Sequence, residues 1–492
     1  MYTDNKISHK KIYIVAIIST LLFICVTILI QSFASISRDP AYYINNFSNF
    51  IFASGSTESI VDQILNPFVL SNYFLYYPVL VIAKTGFGIV TSHKIFCFLV
   101  FFWASLHLFS FVSFNKNRPL SWLMIPAFAF VGLLFPVDGF GQKEYLFFLL
   151  VTPYIFHVLD ECEAGGWRER APADVVIATC IGLVIKPYFI GIWVLLEAYR
   201  FWKFRDWRCL LNRLNICVSL IHIVYYSTVL VLLFRLPYSS QDIAWVFAMK
   251  RGYWQKSIVE IVVRRYSLLW LIASLALCVS LFSSKLRSGA IVWALAITGA
   301  LFSVLIQSLG VDYHWHLVTG VAGMAMFWSI SVLERGKPLF VAMLLAGFFL
   351  ILATLRLVPF AAREMNAGAL VRQISVAVNS HSSVGKLTLF STDYFPLHPV
   401  LAQTGLPNGS RFQSFWFLDG LAQDFASQTN KTMLARISSE VAVDLSRNDS
   451  IVMVPTAPSP GLALLFSQEV VANRLSLYRE VGESNGHKIL VP

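Results

Sequence analysis

Four short stretches of the sequence place ionisable or hydrogen-bonding side chains where a strongly apolar chain would not ordinarily tolerate them. Ser37-Arg38-Asp39-Pro40 directly follows the first apolar run. A carboxylate there, beside a cation and ahead of a stiffening proline, is placed to act as a general base or to bind a cation; the plainer account is a solvated pair at a membrane boundary. Gly139-Phe140-Gly141-Gln142-Lys143-Glu144 carries three consecutive hydrogen-bonding side chains into an apolar segment. At a bilayer edge Lys143 and Glu144 must pair, snorkel or face a wet cavity. Lys186 precedes Pro187-Tyr188 inside the apolar run 173 to 199, where an ammonium suits a phosphate or anchors a helix end at the headgroups. Gln307 and Asp312-Tyr313-His314-Trp315-His316 close the set. Their spacing matches no standard zinc motif, so binding of sugar hydroxyls or a pyrophosphate fits His314, His316 and Tyr313 better than a metal does.

The elements that must position these residues follow from composition. Of 492 residues 57% are hydrophobic and 13% charged, with a formal charge of +11. An ordinary soluble domain carries about 25% charged residues, so a cytosolic enzyme and a disordered chain are both excluded and a membrane protein is expected. The cations stand between apolar runs rather than on interleaved polar faces, so membrane topology accounts for them better than nucleic acid does. Ten basic and ten acidic residues lie from position 359 onward, so the whole excess belongs to the apolar part. The seven cysteines show no CxxC pattern and read as packing residues.

Apolar runs lie near 12 to 33, 93 to 113, 120 to 136, 144 to 159, 173 to 199, 214 to 234, 266 to 283, 288 to 308, 314 to 331 and 338 to 358. Proline breaks a helix and a lysine at mid-bilayer is costly, so Lys186-Pro187 divides 173 to 199 into two short helices meeting at a water-facing turn. That gives 11 spans; a single kinked helix there is the alternative. The intervening loops Lys116/Arg118, Arg168/Arg170, Arg200 to Arg213, Lys285/Arg287 and Arg335/Lys337 are all basic, and with Lys6, Lys10 and Lys11 they set the cytoplasmic side. All four chemical stretches then converge on the opposite face. A first outer loop, 34 to 92, is expected to hold amphipathic helices along that face, with a spanning hairpin as its rival. Loop 235 to 265 breaks the topological tendency, since Arg235, Lys250, Arg251, Lys256, Arg264 and Arg265 stand against only Asp242 and Glu260. An anionic lipid-linked substrate would be a reason to tolerate it.

From 359 to 492 the composition changes. Val384 to Phe390 and Ser450 to Val454 read as strands, and 359 to 380, 430 to 446 and 461 to 473 as helices. The fold class expected is an all-α polytopic membrane domain, 1 to 358, followed by an extracytoplasmic α/β domain, 359 to 492.

A cytoplasmic start, one span, Asp39 in a long outer loop and the aromatic-proline run Tyr73 to Gly88 resemble the integral-membrane type C glycosyltransferases. The nearest in style are the polyprenyl-phosphate-sugar-dependent group of aminoarabinose lipid A transferases and protein O-mannosyltransferases. Gly182-Leu183-Val184-Ile185-Lys186-Pro187 is similar to that group's short-helix pair. Gly141-Gln142-Lys143-Glu144, Tyr313-His314 and Ser410-Arg411-Phe412-Gln413-Ser414-Phe415-Trp416 resemble stretches of bacterial membrane proteins of the same superfamily. The resemblance implies an inverting glycosyltransferase of the bacterial inner membrane, working on the periplasmic side with a polyprenyl-phosphate-linked sugar and a glycan or glycolipid acceptor. Asp39 maps onto the catalytic base. Arg38, Lys186, Arg251, Lys256, Arg264 and Arg265 are the candidates for the donor phosphate. Gln142, Lys143, Glu144, Tyr188, Gln307, Tyr313, His314, His316, Arg411 and Trp416 are the candidates for substrate, and Asp393 and His398 lie near the loops of the carboxy-terminal domain, which covers the cleft, holds the acceptor or serves as a cap. Many members have two adjacent acidic residues where this chain has Arg38-Asp39-Pro40, so no metal is assigned, although a divalent cation is compatible with the superfamily. A polymerase or ligase using a pyrophosphate-linked donor, and a non-enzymatic lipid or glycan transporter, are the competing functions.

Overall fold

A computed structural model describes residues 4–34, 40–41, 44, 69–114, 119–134, 136, 139–235, 287–307, 312–332, 337–381, 385–393, 395–412, 414–423 and 425–492. Asp39, Arg38, loop 236 to 265 and the apolar run 266 to 283 lie outside them, as does most of the first outer loop.

The helices of the apolar part are α1 (Asp4–Phe33), α2 (Val69–Ala83), α3 (Ile89–Phe114), α4 (Met124–Ala129), α5 (Lys143–Ala164), α6 (Ala173–Ile185), α7 (Ile190–Phe204), α8 (Arg213–Arg235), α9 (Arg287–Gln307), α10 (His316–Val332) and α11 (Lys337–Asn379). A 3-10 turn leads into α4 and a π turn, Phe130–Leu134, follows it. Among the described residues α1, α3, α5 and α9 are long and apolar enough to cross a membrane. The expected division of 173 to 199 is observed: α6 ends at Lys186, whose backbone is extended, and a 3-10 turn Pro187–Phe189 leads into α7. A proline at 187 removes the N–H that a continuous helix would need. The sequence-expected helix within 34 to 92 corresponds to α2, but its exposed side carries Tyr77 and Val81, so it is apolar on both sides rather than amphipathic.

The chain separates into two compact units. Within the described residues, the first holds α1, α3 from residue 95, α4 to α7, α8 to residue 228, α9, α10 and α11 to residue 364. Every residue of α10 is buried. The most apolar stretch of α5 is 89% buried and that of α1 only 11%, which makes α5 and α10 the core and α1 a peripheral helix. Ile14, Ile18, Leu22 and Leu29 on α1 and Leu99, Phe102 and Leu106 on α3 are exposed, as lipid-facing residues would be. Close approach inside the unit depends on small residues. A Cβ at Gly299 of α9 would stand 2.6 Å from the Ile192 Cα of α7, and one at Gly320 of α10 would stand 2.8 Å from the Phe148 ring of α5.

The second unit holds α2, the start of α3, the end of α11 and the chain from 365 onward. The boundary expected at 358/359 falls inside α11, which continues through Pro359 without a break. The four strands β1 (Lys386–Leu389), β2 (Ser450–Pro455), β3 (Arg479–Ser484) and β4 (His487–Val491) form one sheet in the order β1-β2-β4-β3. β1 and β2 are parallel, and β4 is antiparallel to both β2 and β3. The helices α12 (Leu397–Thr404), α13 (Phe417–Gln423), α14 (Gln428–Leu445), α15 (Pro460–Phe466) and α16 (Glu469–Leu475) complete the unit. The helix expected over 461 to 473 is two helices, α15 and α16, separated at Ser467-Gln468. Lys386 pairs with Asp449; burial alone would raise that carboxyl, but the Lys386 hydrogen bond and charge outweigh it and hold Asp449 below the usual carboxylate range.

Candidate functional site

The turn between α6 and α7 carries the most unusual side chain of the first unit. Lys186 is 9% exposed and its ammonium donates to Glu144 Oε1 and, at 3.0 Å, to Gln307 Oε1. Glu144 stands in the first turn of α5 and is fully buried; Gln307 ends α9 and is itself anchored by donating to the Ser303 carbonyl at 3.0 Å. From the 3-10 turn that precedes α10, His314 Nε2 approaches Glu144 Oε1 at 3.7 Å. Lys143 and His316 lie within electrostatic range of His314. The turn is fastened by Phe189, which stacks on Phe147 of α5 at 4.1 Å, and by the Lys186 ammonium over the Tyr188 ring at 5.5 Å. Gly182 gives α6 room beside the same Phe147 ring.

The loop before α5 is built to bring its first turn against α10. Gly141 has φ of +78°, a left-handed conformation that favours glycine. A side chain at Gly139 would overlap the His316 imidazole, so the backbone lies directly on that ring. Three side-chain atoms in this first turn, Gln142 Oε1, Glu144 Oε2 and the Tyr145 hydroxyl, are buried without a hydrogen-bond partner among the described residues. Each such atom costs about 1–3 kcal/mol, so each calls for a reason, such as strain, a catalytic role or an ordered water or ion.

Thus Gln142, Lys143, Glu144, Lys186, Tyr188, Gln307, His314 and His316, singled out from three of the four stretches, come from one region where α5, α6, α7, α9 and α10 end. For Tyr313 the structure gives only its place in the 3-10 turn Asp312–Trp315. Asp39, Arg38, Arg251, Lys256, Arg264 and Arg265 lie outside the described residues. Arg411 and Trp416 belong to the second unit. There Arg411 clasps the buried Asp444 of α14 through Nε at 3.1 Å and its backbone N–H at 2.9 Å, and Trp416 packs against the aromatic core of that unit. His398 is buried on α12, and Asp393 accepts from the Phe395 N–H at 3.5 Å in a turn. Among the described residues no three His, Cys, Asp or Glu side chains form a metal-holding group.

A second buried network had no counterpart in the sequence reading. Arg200 of α7, counted there as a loop cation, is 1% exposed inside the unit. Its guanidinium meets Glu197 at 2.7 Å and Glu161 of α5 at 2.8 Å. Glu197 also accepts from the Tyr154 hydroxyl at 2.7 Å and from Asn215 of α8 at 2.6 Å, while Glu161 accepts from the Arg168 backbone at 2.7 Å. The sequence signal was the i, i+3 pair Glu197/Arg200 at the end of an apolar run.

Fold and site together define an apolar helical assembly with a buried, charged, hydrogen-bonding cluster at one set of helix ends, joined in the same chain to a small α/β unit. Among solved structures the chain is similar to ArnT from Cupriavidus metallidurans, crystallised with undecaprenyl phosphate: identity is 12%, TM-score 0.49, over 96% of this chain and 97% of that one. A likeness of that size assigns no residue and no activity. No protein-family model matches the chain, and no curated protein matches it.

Proposed function

We propose that the chain is an inner-membrane glycosyltransferase that moves a sugar from a polyprenyl-phosphate donor to a cell-envelope glycan or lipid on the periplasmic side. The observation that carries this reading is the buried Lys186 at the α6–α7 turn, held beside Glu144, Gln307 and His314. A cation buried among apolar helices is costly unless it serves an anion or a partner. In this reading Lys186, with Arg38 and the cations Arg251, Lys256, Arg264 and Arg265, stabilises the phosphate as it leaves. Asp39 removes the proton of the acceptor hydroxyl, and direct displacement inverts the anomeric centre. An ordinary carboxylate is ionised at neutral pH, so Asp39 needs placement rather than a shifted pKa. The turn, the carboxy-terminal domain and the first outer loop face the periplasm in this scheme, with 11 spans.

The test is transfer from defined polyprenyl-monophosphate and pyrophosphate sugars by the purified protein in micelles. Asp39→Asn should abolish transfer from the monophosphate donor, and Lys186→Ala should lower it at least about a hundredfold, the scale of one lost electrostatic contact to developing charge. Unchanged transfer in Asp39→Asn, or transfer from the pyrophosphate donor alone, refutes the scheme.

A further inference from the structure

Between α7 and α8 the chain makes a short turn in which large apolar and basic side chains stand together. Trp202, Trp207 and Leu211 are exposed, and so are Arg205, Arg208 and Arg213. The turn is held from within. Arg205 closes α7 in a left-handed conformation, φ +53°, with its guanidinium 5.7 Å from the centre of the Trp202 ring. Asp206 accepts from the Arg208 N–H at 2.9 Å and from the Trp167 indole at 3.2 Å, opening the 3-10 turn Trp207–Leu211. Behind that turn the buried Asn212 donates to the Cys209 carbonyl at 2.8 Å and accepts from the Asn215 N–H at 2.9 Å. Asn215 in turn donates to Glu197 at 2.6 Å, so the buried Arg200 network reaches the base of the turn.

The charge of the turn is not balanced locally. Between 203 and 213 Asp206 is the one carboxylate, against Lys203, Arg205, Arg208 and Arg213. Arg205, Arg208 and Arg213 form no ion pair among the described residues. In the adjoining loop, which Trp167 links to Asp206, the charges are matched: Arg168 pairs with Asp160 at 2.6 Å, and Glu169 precedes Arg170. Because α7 and α8 are apolar helices, the turn that joins them stands at the membrane surface. Exposed indoles are costly in water and guanidinium groups are costly in hydrocarbon, and the headgroup layer suits both. Planar guanidinium forks match phosphate oxygens, and unpaired cations favour an anionic headgroup over a zwitterionic one.

We infer that the α7–α8 turn is a binding site for an anionic phospholipid, with Arg205 and Arg208 taking its phosphate and Trp207 anchoring the turn at the acyl boundary. The site lies at the opposite end of α7 from Lys186, about 22 Å away along a 15-residue helix. Its lipid is therefore not the donor of the proposed transfer, and the inference stands apart from the glycosyltransferase reading.

Native mass spectrometry of the purified protein in micelles, titrated with dioleoyl phosphatidylglycerol or dioleoyl phosphatidylcholine, measures the affinity of the tightest-bound lipid of each kind. A cation at an anionic surface is worth about fivefold in affinity, so Arg205→Gln with Arg208→Gln should weaken phosphatidylglycerol about 25-fold and leave phosphatidylcholine nearly unchanged. Arg205→Lys with Arg208→Lys keeps the charge and should keep most of the preference, which separates a lost contact from a damaged fold. Arg168→Gln with Arg170→Gln removes the same formal charge from the adjoining loop and should leave both affinities as they were. Trp207→Ser should weaken the two lipids alike. Equal weakening of phosphatidylglycerol by the two glutamine pairs, or equal affinity of the wild-type protein for the two lipids, overturns the site. Neither result bears on sugar transfer, which is measured separately.

Discussion

At the scale of single residues the chain keeps two groups of buried charge, each tied across helices by an ion pair. Around Arg200, Glu197 accepts from Arg200, Tyr154 and Asn215, and Glu161 pairs with the guanidinium and accepts from the Arg168 backbone N–H, while Arg200 Nε and Nη2 and Glu161 Oε2 lack a hydrogen bond among the described residues. Around Lys186 the first turn of α5 leaves Gln142 Oε1 and Glu144 Oε2 unanswered. In both groups the buried charges are held by ion pairs, so removing one partner strands the other. Arg200→Met should therefore destabilise the protein by about 3–5 kcal/mol, because it strands two buried carboxylates. The double replacement Glu197→Gln with Arg200→Met should recover part of that loss, since one carboxylate is neutralised along with the cation. Thermal unfolding in micelles checks both, and an Arg200→Met protein as stable as the wild type would mean that the carboxylates are not held as the structure has them. Lys186 was legible in the sequence because a lysine-proline pair within an apolar run has few inexpensive explanations. Arg200 was not, since a charge at the end of an apolar run looks like the start of a basic loop, and its second carboxylate, Glu161, comes from another helix.

At the scale of elements the site depends on how closely the helices that carry it can approach. Gly299 of α9 lies against the backbone of Gly191 and Ile192 at the start of α7, immediately after the turn that bears Lys186. The same α9 ends at Gln307, the second acceptor of that lysine. Gly299→Val would place its Cβ 2.6 Å from backbone and force the two helices apart, since no flexible side chain is there to give way. Overpacking of this kind costs about 1–3 kcal/mol, and the Gln307 to Lys186 contact should weaken with it, seen as a lower unfolding temperature together with reduced transfer. Gly347→Val serves as the control because a Cβ there meets nothing within 4 Å; equal effects of the two would remove the close-approach argument. Helix positions were largely readable from apolar runs, as were the buried strands β1 and β2. The hairpin β3–β4 was missed although its turn, Asn485-Gly486, has both residues at positive φ and is a strong sequence signal for such a turn. β3 reads Arg479-Glu480-Val481-Gly482-Glu483-Ser484 and is largely exposed, so hydropathy patterning passed over it.

At the scale of the whole molecule, charge distribution and proposed chemistry make one joint demand on topology. Ten basic and ten acidic residues from 359 onward leave that part neutral, while the excess of +11 lies among the apolar runs. If the basic loops set the cytoplasmic side, Arg208 in the 3-10 turn after α7 faces the cytoplasm. With 11 spans, Glu483 in the α/β unit faces the opposite compartment. Arg208 and Glu483 are both exposed, so each can report its own side without disturbing a packed element. In a chain whose native cysteines have been replaced by serine or alanine, Glu483→Cys should react with a membrane-impermeant maleimide added to intact spheroplasts. Arg208→Cys should react only after the membrane is opened. Labelling of both from outside, or of neither before lysis, would mean an even number of crossings between them. The α/β unit would then share a compartment with the Arg200 clasp, and the periplasmic assignment of the transfer reaction would fall even if the Lys186 site proved active.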